Sequence, residues 1–563
     1  MLVTKIGAGT GGEMGCVLTF REWSGARGIG WLIKSAPYDL VMRKKIFVVL
    51  LALVVLAGLP AAVGEERRAL WDMSKLPVIS ADQTRALFGY DAIRSVNDDY
   101  SWQIPGPNSA FNSVLAPCSS VAQIDPNYTA CIESVAFRSL GSEKWNVAKL
   151  STSSLGLPTM TIVKKIVDLQ VGPFPFEPLQ FRPAGDKASV WSLPGAKHGG
   201  GDNYLVRASF YGILNGTNVS DGGLALTNKL ELLPISFPTT SSTFTQDQMV
   251  VEEFPKNYEY KVRLKLGVFV KSVSGWFFGR LNNPVINRSG PEGFLEVIGE
   301  PARIPIGLTN VIESANAKQY FDPKWCAEFE TRCLFSEKLY EKAVTYSPIQ
   351  SDSPEILSRW EGVPGGVKTV ATISTWSLDS AFFTANLKST GASLDCLNAI
   401  GGSKSARIFL GAVVSNATLF QTVPPSWDAK EKAFIFQVAS PHLDETGKPN
   451  LGTYTLYIPS DQAKCRWGAD ASAARASVQI IDSSGAVQIT TAVAKSENGM
   501  LRFNISGFGY SSPTIKIKMD RSIPASSSSV LSKKTITCTK GKVKKSITGV
   551  KPVCPKGYKR VSN

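Results

Sequence analysis

Alternation of apolar and polar residues is the dominant pattern along this chain. From Tyr260 to Val270 the side chains Tyr260, Val262, Leu264, Leu266, Val268 and Val270 share one side, while Lys261, Arg263 and Lys265 share the other. A period of two places one face of a strand in a core and the other in water. Comparable runs occupy 160–171, 204–214, 228–237, 406–414, 432–440 and 452–459. Two more flank the turns DSSG (482–485) and ENG (497–499), the last ending in PTIKIKM (513–519). Turn residues recur at short intervals and helical patterns between the strands are scarce. The expected class is mainly β: two antiparallel β-sandwich-like domains, packed sheet on sheet, rather than a parallel α/β sheet.

One stretch departs from that pattern. Within 311–365, KWCAEFETRCLFSEKLYEKAV and SPEILSRW carry helix formers at i, i+3/i+4 apolar spacing, which predicts a partly helical connector. Cys326 and Cys333 both lie in it. On one continuous helix their Cα atoms would stand about 10.5 Å apart, beyond the ~7 Å limit for a disulfide. Either they pair and the helix starts after Cys333, or the helix is continuous and they pair elsewhere; the first is the expectation.

The resulting organisation has a lead segment (65–115), a first β domain (116–310), the connector (311–365) and a second β domain (366–522). A Ser-rich linker (523–529) then leads to a small basic tail (530–563).

Upstream of all this, Met42 opens the segment MRKKIFVVLLALVVLAGLPAAVGEE: a basic start, an apolar run from Ile46 to Leu59, a Pro60 break and small residues. That is the pattern of a secretory signal peptide at 42–64, with Ala62 and Gly64 suited to the peptidase pocket. The apolar run is short against the ~20 residues that a spanning helix needs. Residues 1–41 contain GAGTGG (Gly7, Gly9, Gly12), but a dinucleotide fingerprint requires a strand before it and a helix after it. A signal peptide follows instead, so 1–41 reads as a mis-assigned start.

Cysteine usage agrees. Of nine cysteines only Cys16 precedes the signal, which leaves Cys118, Cys131, Cys326, Cys333, Cys396, Cys465, Cys538 and Cys554. An even number in an exported chain reads as disulfides. Of the 105 pairings that eight cysteines allow, the sequence-local one joins 118–131, 326–333, 396–465 and 538–554. A zinc site lacks ligands: there is no C-x-x-C, and His198 and His442 are the only histidines. Cys396 and Cys465 invite an immunoglobulin comparison, yet Ala463 stands where such domains carry a tyrosine.

Net charge is +15, but it is unevenly placed. Lys533, Lys534, Lys540, Lys542, Lys544, Lys545, Lys551, Lys556, Lys559 and Arg560 crowd the tail without one acid, whereas residues 65–532 come to about +1. Basicity belongs to the tail.

Signals for chemistry are thin. No G-x-S-x-G elbow, Walker loop, H-E-x-x-H or EF-hand loop occurs, and no metal or cofactor is expected. His198, in WSLPGAKHGGGD, reads as part of a glycine-rich surface loop and His442 as a turn residue. Glu252/Glu253 and Glu328/Glu330 are acids with no motif to anchor them. Tryptophans beside Gly or Pro, in SGWFFG (274–279), PPSWD (424–428) and CRWGAD (465–470), suggest either core caps or exposed indoles for a glycan or protein ligand. A secreted carbohydrate-active or other hydrolase without a recognisable motif is the alternative to a binding or structural role.

The tail reads TITCTKGKVKKSITGVKPVCPKGYKR from Thr535 to Arg560. It resembles the ITC-x-KGK…CP-x-GYK tail of exported and surface proteins of actinobacteria, and the preceding GTYTLYIP…C-x-W-G…SGFGYSSPTIKIKM looks like the terminal β domain of such proteins. The resemblance implies a Gram-positive exported protein associated with the envelope; it implies no activity and no catalytic residue. A basic patch outside the cytoplasm meets an anionic wall polymer or membrane surface before nucleic acid, and Tyr558 alone offers no stacking platform for bases. The mature chain is expected to begin at Glu65. Edman sequencing of exported protein should return Glu65 first; any residue before Met42 would contradict the reading.

Overall fold

The computed structural model describes residues 82–89, 99–104, 110–125, 130–151, 154–155, 170–177, 182–213, 225–237, 243–244, 249–273, 275–289, 293–313, 333–336, 343–346, 368–380, 396, 409–420, 425–468, 475–481, 487–497, 499–510, 514–520, 534–540, 543–549, 554 and 558–561. The predicted start, signal peptide and Ser-rich linker lie outside them, as does Cys326. Among the described residues the chain is mainly β.

Six of the strands that precede the connector build the layers: β1 (Cys131–Ser139), β2 (Asn203–Ile213), β3 (Ala225–Ser236), β4 (Tyr258–Lys265), β5 (Gly275–Ser289) and β6 (Phe294–Glu313). After it come β7 (Lys368–Ser380), β8 (Phe409–Ser415), β9 (Ala433–Ala439), β10 (Leu451–Pro459) and helix α1 (Ser460–Trp467). Next are β11 (Arg475–Ile481), β12 (Val487–Glu497), β13 (Met500–Gly509) and β14 (Thr514–Asp520).

These strands form three stacked layers. A central sheet runs β2–β3–β7–β5–β8–β10–β13, using the N-terminal half of β5. One outer sheet runs β1–β4–β6–β5, using the C-terminal half of β5. The second outer sheet runs β12–β11–β14–β9. Each outer sheet closes a core against one face of the central sheet, as period-two side-chain alternation allows. The first core packs Ile132, Phe137, Tyr260, Val262 and Val297 against Val206, Phe210, Leu232, Trp376 and Phe277. The second packs Phe434, Phe436, Val478 and Ile517 against Trp276, Val413, Leu456 and Phe503.

Hydrogen bonding continues across residue 366, the expected start of a second domain. β7 pairs with β3, β5 and β6, and β8 lies alongside β5. The β5–β8 pairing is parallel, against the expectation of purely antiparallel sheets. Gly275–Gly279 and Phe409–Val414 are apolar on both faces because both faces are covered, as in buried parallel pairs.

Two local expectations are corrected. The strand predicted over 260–270 ends at Lys265, and Gly267–Ser272 forms a 3₁₀ turn. Gly267 has φ +51°, and its backbone lies so close to Gly293 that a Cβ there would stand 2.5 Å from the Gly267 carbonyl oxygen. Chain reversal at that contact redirects Phe269 into the first core and leaves Val268 half exposed. The partly helical connector is likewise not helical where it is described. Cys333–Ser336 and Ala343–Tyr346 are paired strands, and the second runs parallel to Gln83–Gly89. Their Cys-Leu-Phe-Ser and Ala-Val-Thr-Tyr sequences hold aromatic and β-branched residues, which favour strands against the helical spacing.

Part of the lead segment is built into the body. Asp99 is fully buried and holds Arg207 of β2, which donates from Nε to Asp99 Oδ1 at 2.8 Å and from Nη1 to Glu231 Oε2 at 2.6 Å. Arg207 therefore sits in a dry site because both acids accept from it. Removing one partner of a buried pair leaves an uncompensated charge and costs about 3 kcal/mol or more. Asp99→Ala should lower unfolding stability by about that amount in denaturant titrations, while the joint Asp99→Leu/Arg207→Met change costs less. Equal losses for the two variants would contradict this assignment.

Candidate functional site

The tail folds as a small sheet of β15 (Lys534–Lys540), β16 (Val543–Gly549) and β17 (Lys559–Arg560). Alternation writes the hairpin: Thr-Ile-Thr-Cys-Thr on one strand and Val-Lys-Lys-Ser-Ile-Thr on the next. Antiparallel register sets Ile536 opposite Ile547, Cys538 opposite Lys545 and Arg560, and Thr539 opposite Lys544 and Lys559. So small a sheet cannot bury enough surface to hold itself. Its staple is the Cys538–Cys554 disulfide, with Cα atoms 5.7 Å apart and Cys538 fully buried. Closing a loop of that length stabilises the folded hairpin by about 3 kcal/mol in the chain-entropy picture.

Lys540, Lys544 and Lys559 are exposed on this sheet, and Tyr558 is half-buried. Lys534, Lys545 and Arg560 lie in its strands, while Lys533, Lys542, Lys551 and Lys556 fall outside the described residues. With no acid from Lys533 onward, these cations have no opposite charge of their own segment to neutralise them. The structure also holds Cys118–Cys131 and Cys396–Cys465 as disulfides, the second tying Cys396 to helix α1.

Elsewhere in the body the motif-free candidates are committed to structure. His198 Nε2 donates to the Asn203 carbonyl oxygen at 2.9 Å, and Nδ1 accepts from the Gly200 N–H at 3.2 Å. Both ring nitrogens are thereby used to shape the glycine loop. Tyr258 braces the same loop through the Gly195 carbonyl at 2.6 Å. His442 Nδ1 donates to the Tyr510 carbonyl at 2.6 Å. Glu252 accepts from Ser236 Oγ at 2.6 Å, and Glu253 accepts from the Ser374 N–H at 2.9 Å, pinning neighbouring elements. Glu328 and Glu330 lie outside the described residues.

Tryptophans in the Gly- and Pro-flanked segments face inward. Trp276 and Trp467 are buried in the second core, and Trp427 packs edge-on against Phe434 and Trp467. Trp102, Trp191 and Trp376 are also buried, so these six are core side chains rather than exposed sugar platforms. Trp325 and Trp360 lie outside the described residues. Trp145 went unremarked in the sequence. It is half-buried, with Arg138 at 4.4 Å and Lys261 at 4.6 Å from its ring centroid, which leaves little free π-face.

A cleft of about 360 Å³ opens between Arg303, Thr372, Asn416, Asp444, Asn450 and Tyr510. Asp444 Oδ1 accepts from the N–H and hydroxyl of Thr446 at 2.8 Å and from the Lys448 N–H at 2.9 Å. Hydrogen bonds from the Thr446 side chain and the Lys448 backbone hold its carboxyl below the ordinary value. That is a turn anchor, since a general acid needs its carboxyl raised instead. Asn416 Oδ1 accepts from Tyr510 Oη and from the Thr453 N–H, and burial pushes the Tyr510 phenol up. The polar lining thus supports the fold. Among the described residues no group of three His, Cys, Asp or Glu side chains converges as a metal site would.

No family model and no curated protein matches the chain.

The tail sheet and the body should separate experimentally. Cys538→Ser/Cys554→Ser should make the tail protease-sensitive while the body keeps the same thermal midpoint within about 1 °C. A shared drop in midpoint, measured calorimetrically, would show that the hairpin is part of the body's cooperative unit.

Proposed function

We propose that this is an exported cell-envelope or extracellular protein whose β body serves a binding or structural role and whose cationic tail retains it at the surface. The observation that carries the reading is the concentration of ten positive charges, without an acid, in a tail sequence that follows a Ser-rich stretch and whose described strands form a disulfide-clipped sheet. Exposure of Lys540, Lys544 and Lys559 supports it. Their natural counterpart is an anionic wall polymer or membrane surface, attracted over a Debye length of ~8 Å at physiological ionic strength. The same segment resembles tails of exported actinobacterial proteins, which supports the compartment.

A charge-held tail makes a specific demand. Truncation after Ser529 should move the protein from the cell fraction to the medium without unfolding the body. Salt at 1 M, where the Debye length is ~3 Å, should do the same to the full chain. Fractionation of both proteins at low and high salt checks this. Truncated protein that stays as firmly cell-bound as the full chain would place retention elsewhere.

A further inference from the structure

The tail sheet has two unlike faces. On one, Cys538 is fully buried beneath its bond to Cys554. Directly opposite partners in an antiparallel ladder lie on the same face, so the ladder places positions 545 and 560 on this side with Cys538. The other face carries a row across all three strands, Lys544–Thr539–Lys559. Both lysines are exposed and Thr539 is half-buried. Strands sit about 4.8 Å apart, so the two lysine backbones straddle the threonine at about 10 Å. Thr537 follows one row on, and the register puts positions 535, 546 and 548 on this same side, occupied in the sequence by Thr, Ser and Thr.

This second side therefore combines the ammonium groups of Lys544 and Lys559 with the hydroxyls of Thr537 and Thr539, in a segment whose sequence carries no acid. Its chemistry suits a phosphate. Arginine's planar fork grips carboxylates and phosphates alike, whereas lysine, a point charge with three rotatable donors, is a recurrent phosphate binder. A phosphodiester carries a single negative charge spread over two terminal oxygens, which one ammonium and one neighbouring hydroxyl can share. Arg560, the tail's one arginine, has its ladder position on the disulfide side.

We infer that the Lys544–Thr539–Lys559 face is the binding surface of the tail and that its ligand is a phosphodiester-linked polyol polymer. This rests on the tail being the retention element, and it adds which face binds and what chemical class is bound. The disulfide face stays turned away, as a clamp that keeps the row flat.

Binding of the mature full-length protein to poly(glycerol phosphate) and to polygalacturonate, matched in charge density, tests the inference across a salt series. Lys544→Gln/Lys559→Gln is compared with the charge-matched Lys540→Gln/Lys545→Gln, whose ladder positions lie on the disulfide side, and with truncation after Ser529. Thiol titration verifies the disulfide in each. The expected result is tighter binding to poly(glycerol phosphate). Loss of Lys544 and Lys559 should weaken it about tenfold and lower the slope of log affinity against log salt by about two, near one per lysine contact. The control pair should change affinity less than threefold. Equal weakening by both pairs, with binding lost on truncation, overturns the face while the tail reading stands. Tighter or equal binding to polygalacturonate overturns the phosphodiester assignment. No binding of the intact protein to either polymer overturns the tail reading itself.

Discussion

Both cores of this protein lean on one pair of strands. Along β5, Phe277 points into the first core, and Trp276 and Phe278 point into the second; along β8, Ala412 and Val414 enter the first core and Val413, between them, the second. A strand buried on both faces has no polar side to spare, which explains why GWFFG and FLGAVV are nearly continuous apolar runs. Space is the second demand. A Cβ at Gly411 would stand 2.5 Å from the Tyr457 carbonyl oxygen and 2.6 Å from the Trp276 ring. A side chain there would force apart β8, β10 and the indole that anchors the second core.

Several polar groups taken into this dry centre tie its layers together. Trp376 Nε1 donates to the Gly299 carbonyl at 2.9 Å, and Arg280 reaches the carbonyls of Ala417 and Thr418. Tyr457 donates its hydroxyl to the Pro284 carbonyl. Each bond ties one layer to the chain that crosses between layers, so satisfying the buried donor also fixes the layer's position. An unpaired donor at such depth would cost about 1–3 kcal/mol. The Asp99–Arg207–Glu231 group extends the same logic to the lead segment, which would otherwise leave β2 half uncovered.

Much of this architecture is legible in the chain. YLVRASFYGI, NKLELLPIS, AFIFQVA and GTYTLYIP all lie in strands, because half-buried strands must alternate. What alternation does not reveal is partnership. Nothing local to ARIFLGAVV distinguishes a sandwich edge from a strand lying parallel to one more than 130 residues earlier in the chain. Run length misled at Gly267, where the period continues through Val270 but the backbone turns away. The tryptophans carried an ambiguous signal, since a Gly- or Pro-flanked indole suits a loop tip and a core wedge equally; burial decides between them. In the tail, the every-second-residue hydroxyls of TITCTK were already the mark of a face, and only the register with Lys544 and Lys559 made that face a row.

The body is held chiefly by packing and the tail sheet by one disulfide, with the excess charge kept to the second. The tail's sufficiency is the sharpest test of that division. Residues 523–563 fused to an unrelated, neutral, monomeric carrier protein should carry it onto isolated cell envelopes at low salt, with release at 1 M salt and retention of the bond between Cys538 and Cys554 throughout. A carrier that remains in solution at low salt, under conditions where the full-length protein binds, would contradict the account.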